Sequence, residues 1–175
     1  YLRFVKGVVD SPDLPLNVSR EILQHNRFIK QIKKSLTKKI LDQLTSLMAD
    51  EYQTYVDFYK EFGRAMKEGF TADSDNKQKL TDLLLFSSSR DEEKLTSLKE
   101  YVGRMKESQD EIYYLTGESR AVIEDSPHLE VFRDKGYEVL YLTDPVDELM
   151  VQYLTEYEGK ALKSIGKGTV EVGDE

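Results

Sequence analysis

The chain has 175 residues, 39% of them hydrophobic and 33% charged, with a net charge of −8 and no cysteine. That length can bury a real core as one medium domain or two small ones, and the missing cysteines exclude disulfide and thiol chemistry. No run approaches the roughly 20 apolar residues of a membrane-spanning helix and no signal-peptide pattern opens the sequence, so a soluble cytoplasmic protein without a membrane partner is expected.

Residues 1 to 9, YLRFVKGVV, carry Leu2, Phe4, Val8 and Val9 in a pattern that predicts a strand. A lone strand is unstable, so it must join a sheet further along or belong to a larger protein. The loop DSPDLPLN follows, where Pro12 and Pro15 oppose helix. From Ser19 as N-cap, the spacing of Ile22, Ile29, Leu36, Ile40, Leu44 and Leu47 predicts one helix to about Ala49. A second helix after Asp50 carries the stripe Tyr52, Tyr55, Val56, Tyr59, Phe62 and Met66, with Gly69 as its C-cap. Asp73 and Asp75 announce a third, carrying Leu80, Leu83 and Leu84. SSSRDEEK, residues 87 to 94, replaces apolar periodicity with serine and charge and reads as a boundary.

Beyond it the pattern changes. Ile112–Leu115 and Val139–Leu142 are short apolar runs typical of buried strands, separated by a helical stretch over 119–135 that Pro127 interrupts. Asp144 then suits an N-cap and Pro145 the first helical position. The expected class is α/β: a helical coil of about three helices, then a small three-layer αβα unit with a short, mainly parallel sheet. The segments are 1–18, the coil at 19–86, the αβα unit at 95–165 and a glycine-containing linker at 166–175.

Chemistry-bearing motifs are scarce. His25 and His128 lie far apart and no cysteine accompanies them, so no metal site is expected. Neither a GxGxxG nor a GxxxxGK[ST] loop occurs, no GxSxG elbow is present, and the carboxylates fall in solvated runs such as Asp91, Glu92 and Glu93. Charge is uneven: residues 20–49 hold seven lysines and arginines against Glu21 and Asp42, a net +5 that leaves −13 elsewhere. Arg20 occupies a first helical turn, where the macrodipole disfavours a cation and backbone N–H groups favour an anion. It is either paired with a neighbouring acid such as Glu21 or Asp13, or placed for a phosphate that this chain cannot itself hold. A helical nucleic-acid-binding or protein-interaction module using the basic helix at 27–39 is the alternative. An acidic chain with no aromatic interleaving in that stretch weighs against nucleic acid.

Four segments in order, FVKGVVDSPDLPLNVSREILQ (4–24), LTSLKEYVGRM (95–105), IYYLTGES (112–119) and LTDPVDE (142–148), resemble the heat shock protein 90 chaperones, the bacterial type in particular. The resemblance implies an N-terminal ATP-binding domain, a middle domain and a C-terminal dimerisation domain in the full-length protein, with this chain the latter part of the middle domain. It implies that residues 1–9 are the last strand of a larger αβα subdomain. It also implies that Arg20 of the catalytic loop reaches the γ-phosphate of ATP in the absent N-terminal domain, that Gln24 supports the closed arrangement, and that Asn17 is a polar residue of the same loop. ATP with Mg is then a ligand of the full-length homodimer, with no cofactor in the fragment, which alone is expected to hydrolyse no ATP. Glu148, Leu149 and Gln152 match the family's contacts to partly unfolded client proteins, with leucine here in place of an aromatic.

Overall fold

The computed structural model describes residues 1–12 and 27–167. Helix α1, Arg27–Asp50, buries Leu41 and Leu44 near its C-terminal end, with Ile40, Leu47 and Met48 half-covered beside them. The expected start of this helix at Ser19 lies outside the described residues. Helix α2, Tyr52–Lys67, turns its Tyr55, Val56, Tyr59, Gly63 and Met66 face inward at three- and four-residue steps, and the Tyr55 hydroxyl donates to the Leu83 carbonyl. Gly69 is not the cap of α2. Glu68 takes that place in helical conformation and Gly69 opens a short helix, α3, Gly69–Ala72. A Cβ at Gly69 would lie 2.9 Å from both Leu80 and the Tyr1 ring, so close approach explains this glycine. The Asp73 carboxylate accepts from the Asn76 N–H and caps a 3₁₀ turn that leads into α4, Lys77–Asp82.

Residues 1–9 form no strand. Their alternation supplies apolar side chains, but no described strand pairs with them; Tyr1, Leu2 and Phe4 pack on the core instead, and Val5, Val8 and Val9 stay exposed. Phe4 meets Phe58 and Phe62 at centroid distances of 5.2 and 4.9 Å, and the Tyr1 hydroxyl donates to Asp73.

The stretch read as a boundary is a hairpin. β1, Phe86–Ser88, pairs antiparallel with β2, Asp91–Thr96. Then come α5, Leu98–Gly103; β3, Glu111–Thr116; α6, Arg120–Glu124; α7, Pro127–Asp134; β4, Val139–Leu142; α8, Pro145–Tyr153; β5, Glu156–Tyr157; and β6, Lys160–Ser164. The six-stranded order is β2-β1-β4-β3-β6-β5. β4, β3 and β6 run parallel at the centre, and the flanking pairings are antiparallel. Of the linker expected at 166–175, residues 168–175 lie outside the described residues.

The period of two along the central strands sorts their side chains into two cores. Ile112, Leu140 and Leu142 join Met150 of α8 and the buried residues of α1, α2 and α4. Tyr113, Leu115, Val139 and Tyr141 face the other way, onto Ile123 of α6 and Leu129 and Phe132 of α7. This is the expected αβα layering. One apolar cluster nevertheless runs without a break from the helical part into one face of the sheet. At the start of β3 the buried Tyr101 hydroxyl donates to the Glu138 carbonyl at 2.6 Å and accepts from Gln109 Nε2 at 2.9 Å and the Tyr113 N–H at 3.0 Å.

Candidate functional site

Helix α8 and its entry loop concentrate the unusual chemistry. The chain leaves β4 through Thr143, takes extended backbone at Asp144 and starts the helix at Pro145, whose missing N–H is no loss at that position. The Asp144 N–H donates to Asp147 Oδ2 at 3.0 Å, so the first turn is held by its own acid. Behind it sits a buried cation. Lys67, at the end of α2 and 6% exposed, places Nζ 2.7 Å from Asp144 Oδ2 and 2.7 Å from Asp147 Oδ1. Asp147 is 1% exposed. Burial pushes its carboxyl above the ordinary carboxylate range, and the Lys67 ammonium pulls against that shift. The cluster ties the last turn of α2 to the first turn of α8.

The opposite side of α8 is open. Met150 is 1% exposed and packs into the core, whereas Leu149 and Tyr153 are 42% and 44% exposed. Glu148 and Gln152 are also exposed. These four side chains fall at four-residue spacing in two adjacent rows, which gives a mixed apolar and polar face. The three residues expected to contact clients, Glu148, Leu149 and Gln152, are therefore together and accessible on one helix.

Arg20, Gln24 and Asn17, expected at the catalytic loop, lie outside the described residues, as does His25. His128 is exposed on α7. Among the described residues no group of three or more histidine, cysteine or acidic side chains could hold a metal ion, and no helix is long and apolar enough to cross a membrane. The basic helix places Lys30, Lys33 and Lys34 along a cavity of about 400 Å³ whose other wall carries Asp73 and Asp75, so its charge is partly matched within the chain.

Sequence reasoning missed Lys67 as a site residue. The signal was available: Tyr59, Gly63 and Lys67 recur every four residues along the buried face of α2. A lysine in such a row must find a carboxylate.

The family described as Hsp90 protein matches residues 1–175, the whole of this chain, and the chain belongs to that family. Chaperone protein HtpG of Geobacter sulfurreducens is 62% identical over 171 residues, covering 97% of this chain and 26% of that protein. HtpG of Rhodococcus jostii is 54% identical over 175 residues, 100% of this chain and 27% of that protein. The chain thus spans about a quarter of the length of the curated relatives it matches.

Proposed function

We propose that this chain is the latter part of the middle domain of an ATP-dependent chaperone, and that it serves the full-length protein in two ways. Through Arg20, supported by Gln24 and Asn17, it supplies a cation to the γ-phosphate of ATP, with Mg, held by the N-terminal domain. A guanidinium aimed at charge that develops during phosphoryl transfer stabilises the transition state more than the ground state. Through α8 it offers Glu148, Leu149 and Gln152 to partly unfolded clients. The parent is a cytoplasmic homodimer joined through a C-terminal domain outside this chain.

The observation that carries the reading is the match to HtpG chaperones over nearly the whole chain, and over only a quarter of their length. The exposure of Leu149 and Tyr153 on α8 supports the client role, because apolar side chains left open beside charged ones suit unfolded segments with scattered apolar residues. In the full-length protein, Arg20→Ala lowers the ATPase rate at least tenfold, on the order seen when a transition-state charge contact is lost, with ATP affinity little changed. Unchanged turnover removes the phosphate-sensing role. ATP turnover by the chain alone that Arg20→Ala abolishes would place a complete active site here and overturn the division of labour.

A further inference from the structure

We infer that the crevice at the carboxyl ends of β3 and β4 is a subsite for a cationic side chain of the bound segment, so that α8 selects extended polypeptide carrying lysine or arginine beside apolar residues. The inference rests on the client-face reading of α8 and deepens it.

The topology singles out this place. β3 passes to β4 through α6 and α7, which pack on one face of the sheet, whereas β4 passes to β6 through α8, which packs on the other. β3 and β4 are parallel neighbours with Thr116 opposite Leu142. Their connections therefore diverge at their carboxyl ends and open a crevice of about 310 Å³. Ligands of wound parallel sheets bind at such a divergence.

The lining selects the ligand's charge. Glu118 comes from the β3 side and Glu148 from α8, and Thr116 and Thr143 also line the crevice. Asp144 also lines the crevice, but Lys67 already engages its carboxylate at 2.7 Å. The positive end of the α8 dipole is covered by the first-turn acids Asp147 and Glu148. What faces solvent is therefore a pair of exposed glutamates beside hydroxyl acceptors. That set repels a phosphate, the usual occupant of such crevices, and accepts an ammonium or guanidinium.

The crevice and the apolar face are continuous. Glu148 belongs to both, Leu149 is next to it, and Tyr153 is one turn further along. The nine residues of α8 span about 13 Å, which four residues of extended chain also cover at about 3.3 Å each. A segment with its cation in the crevice lays apolar residues two to four positions away on Leu149 and Tyr153.

The test uses two fluorescein-labelled twelve-residue peptides whose binding to the chain is followed by anisotropy at about 50 mM salt, where surface charge is weakly screened. One carries a pair of lysines and, three residues on, a cluster of leucine, valine and phenylalanine; its twin has glutamates for the lysines. The lysine peptide is expected to bind about tenfold more tightly, from attractions gained and repulsions avoided at exposed carboxylates. The double substitution Glu118→Gln and Glu148→Gln, at exposed positions that leave the circular dichroism spectrum unchanged, brings the ratio below about twofold. Leu149→Ser with Tyr153→Ser weakens both peptides. A ratio that survives the glutamine variant, while the serine variant abolishes binding, overturns the cationic subsite and keeps the client face. Binding indifferent to the serine variant, or no binding of either peptide, overturns both.

Discussion

Replacing Lys67 with methionine preserves most of the side-chain volume on α2 and removes its charge. The consequence falls on two carboxylates. Asp144 is partly exposed, with 40% of its side-chain surface open, and water takes over much of what the ammonium provided. Asp147 has 1% of its side-chain surface open, so its charge is left uncompensated in the interior. Removing one partner of such a pair costs about 3–5 kcal/mol, a large share of the about 5–15 kcal/mol by which a domain is stable. The assay is urea unfolding at pH 7, followed by far-ultraviolet circular dichroism, in parent, Lys67→Met, and Lys67→Met with Asp147→Asn. The asparagine carbonyl still accepts from the Asp144 N–H, so the double variant should recover at least half of the deficit.

The pH dependence carries a defined sign. The Asp147 carboxyl is raised on folding, chiefly by burial, so its contribution to stability is full below the ordinary carboxylate pKa of about 3.9 and is lost as pH rises through the folded value. Without Lys67 the folded value rises further. The deficit of Lys67→Met relative to the parent should therefore be small at pH 4 and grow as pH rises toward 7. A deficit below about 1 kcal/mol at pH 7, or no recovery on adding Asp147→Asn, would refute the account of Lys67 as the compensating charge.

Neighbouring positions on α8 should separate packing from recognition: Met150→Ala costs about 2–5 kcal/mol of stability, while Leu149→Ala changes it by less than about 0.5 kcal/mol yet weakens capture of an unfolded client, as read by light scattering of a thermally unfolding substrate with the full-length protein. Tyr101→Phe leaves the Glu138 carbonyl and the Tyr113 N–H without their buried partner, and thermal unfolding should show a loss of about 1–3 kcal/mol. Gly117→Ala brings a Cβ within 2.7 Å of Ile123 Cγ1, and the forced shift should cost about 1–3 kcal/mol by urea titration.

The parts of the fold legible in the sequence are those whose partners are close by or whose burial is total. Val139–Leu142 is buried at every position, as a central parallel strand requires, and its uninterrupted apolar run announces it. Pro145 marks a helix start, and Pro127, read as an interruption of one helical stretch, opens the second of two helices there; both effects are local. β2 was illegible for the opposite reason: Glu92, Glu93 and Lys94 are exposed on an edge strand, so a hairpin carries the composition of a linker. The two strands after α8, Glu156–Tyr157 and Lys160–Ser164, are equally polar and are held by pairing with one another and with β3. Residues 1–9 show the converse, a strand pattern without a strand partner. At the site, the exposed row of α8 followed from matching a family segment, while the Lys67 cluster arises from residues 77 and 80 positions apart that only the tertiary fold brings together.

Helix α1 has a mechanical side. Its 24 residues make a beam about 36 Å long, and its fully buried side chains, Leu41 and Leu44, lie well past its midpoint. Those two leucines belong to the same apolar cluster as Met150 on the underside of α8. A displacement of α1 at these leucines is therefore passed through close-packed side chains to the underside of α8.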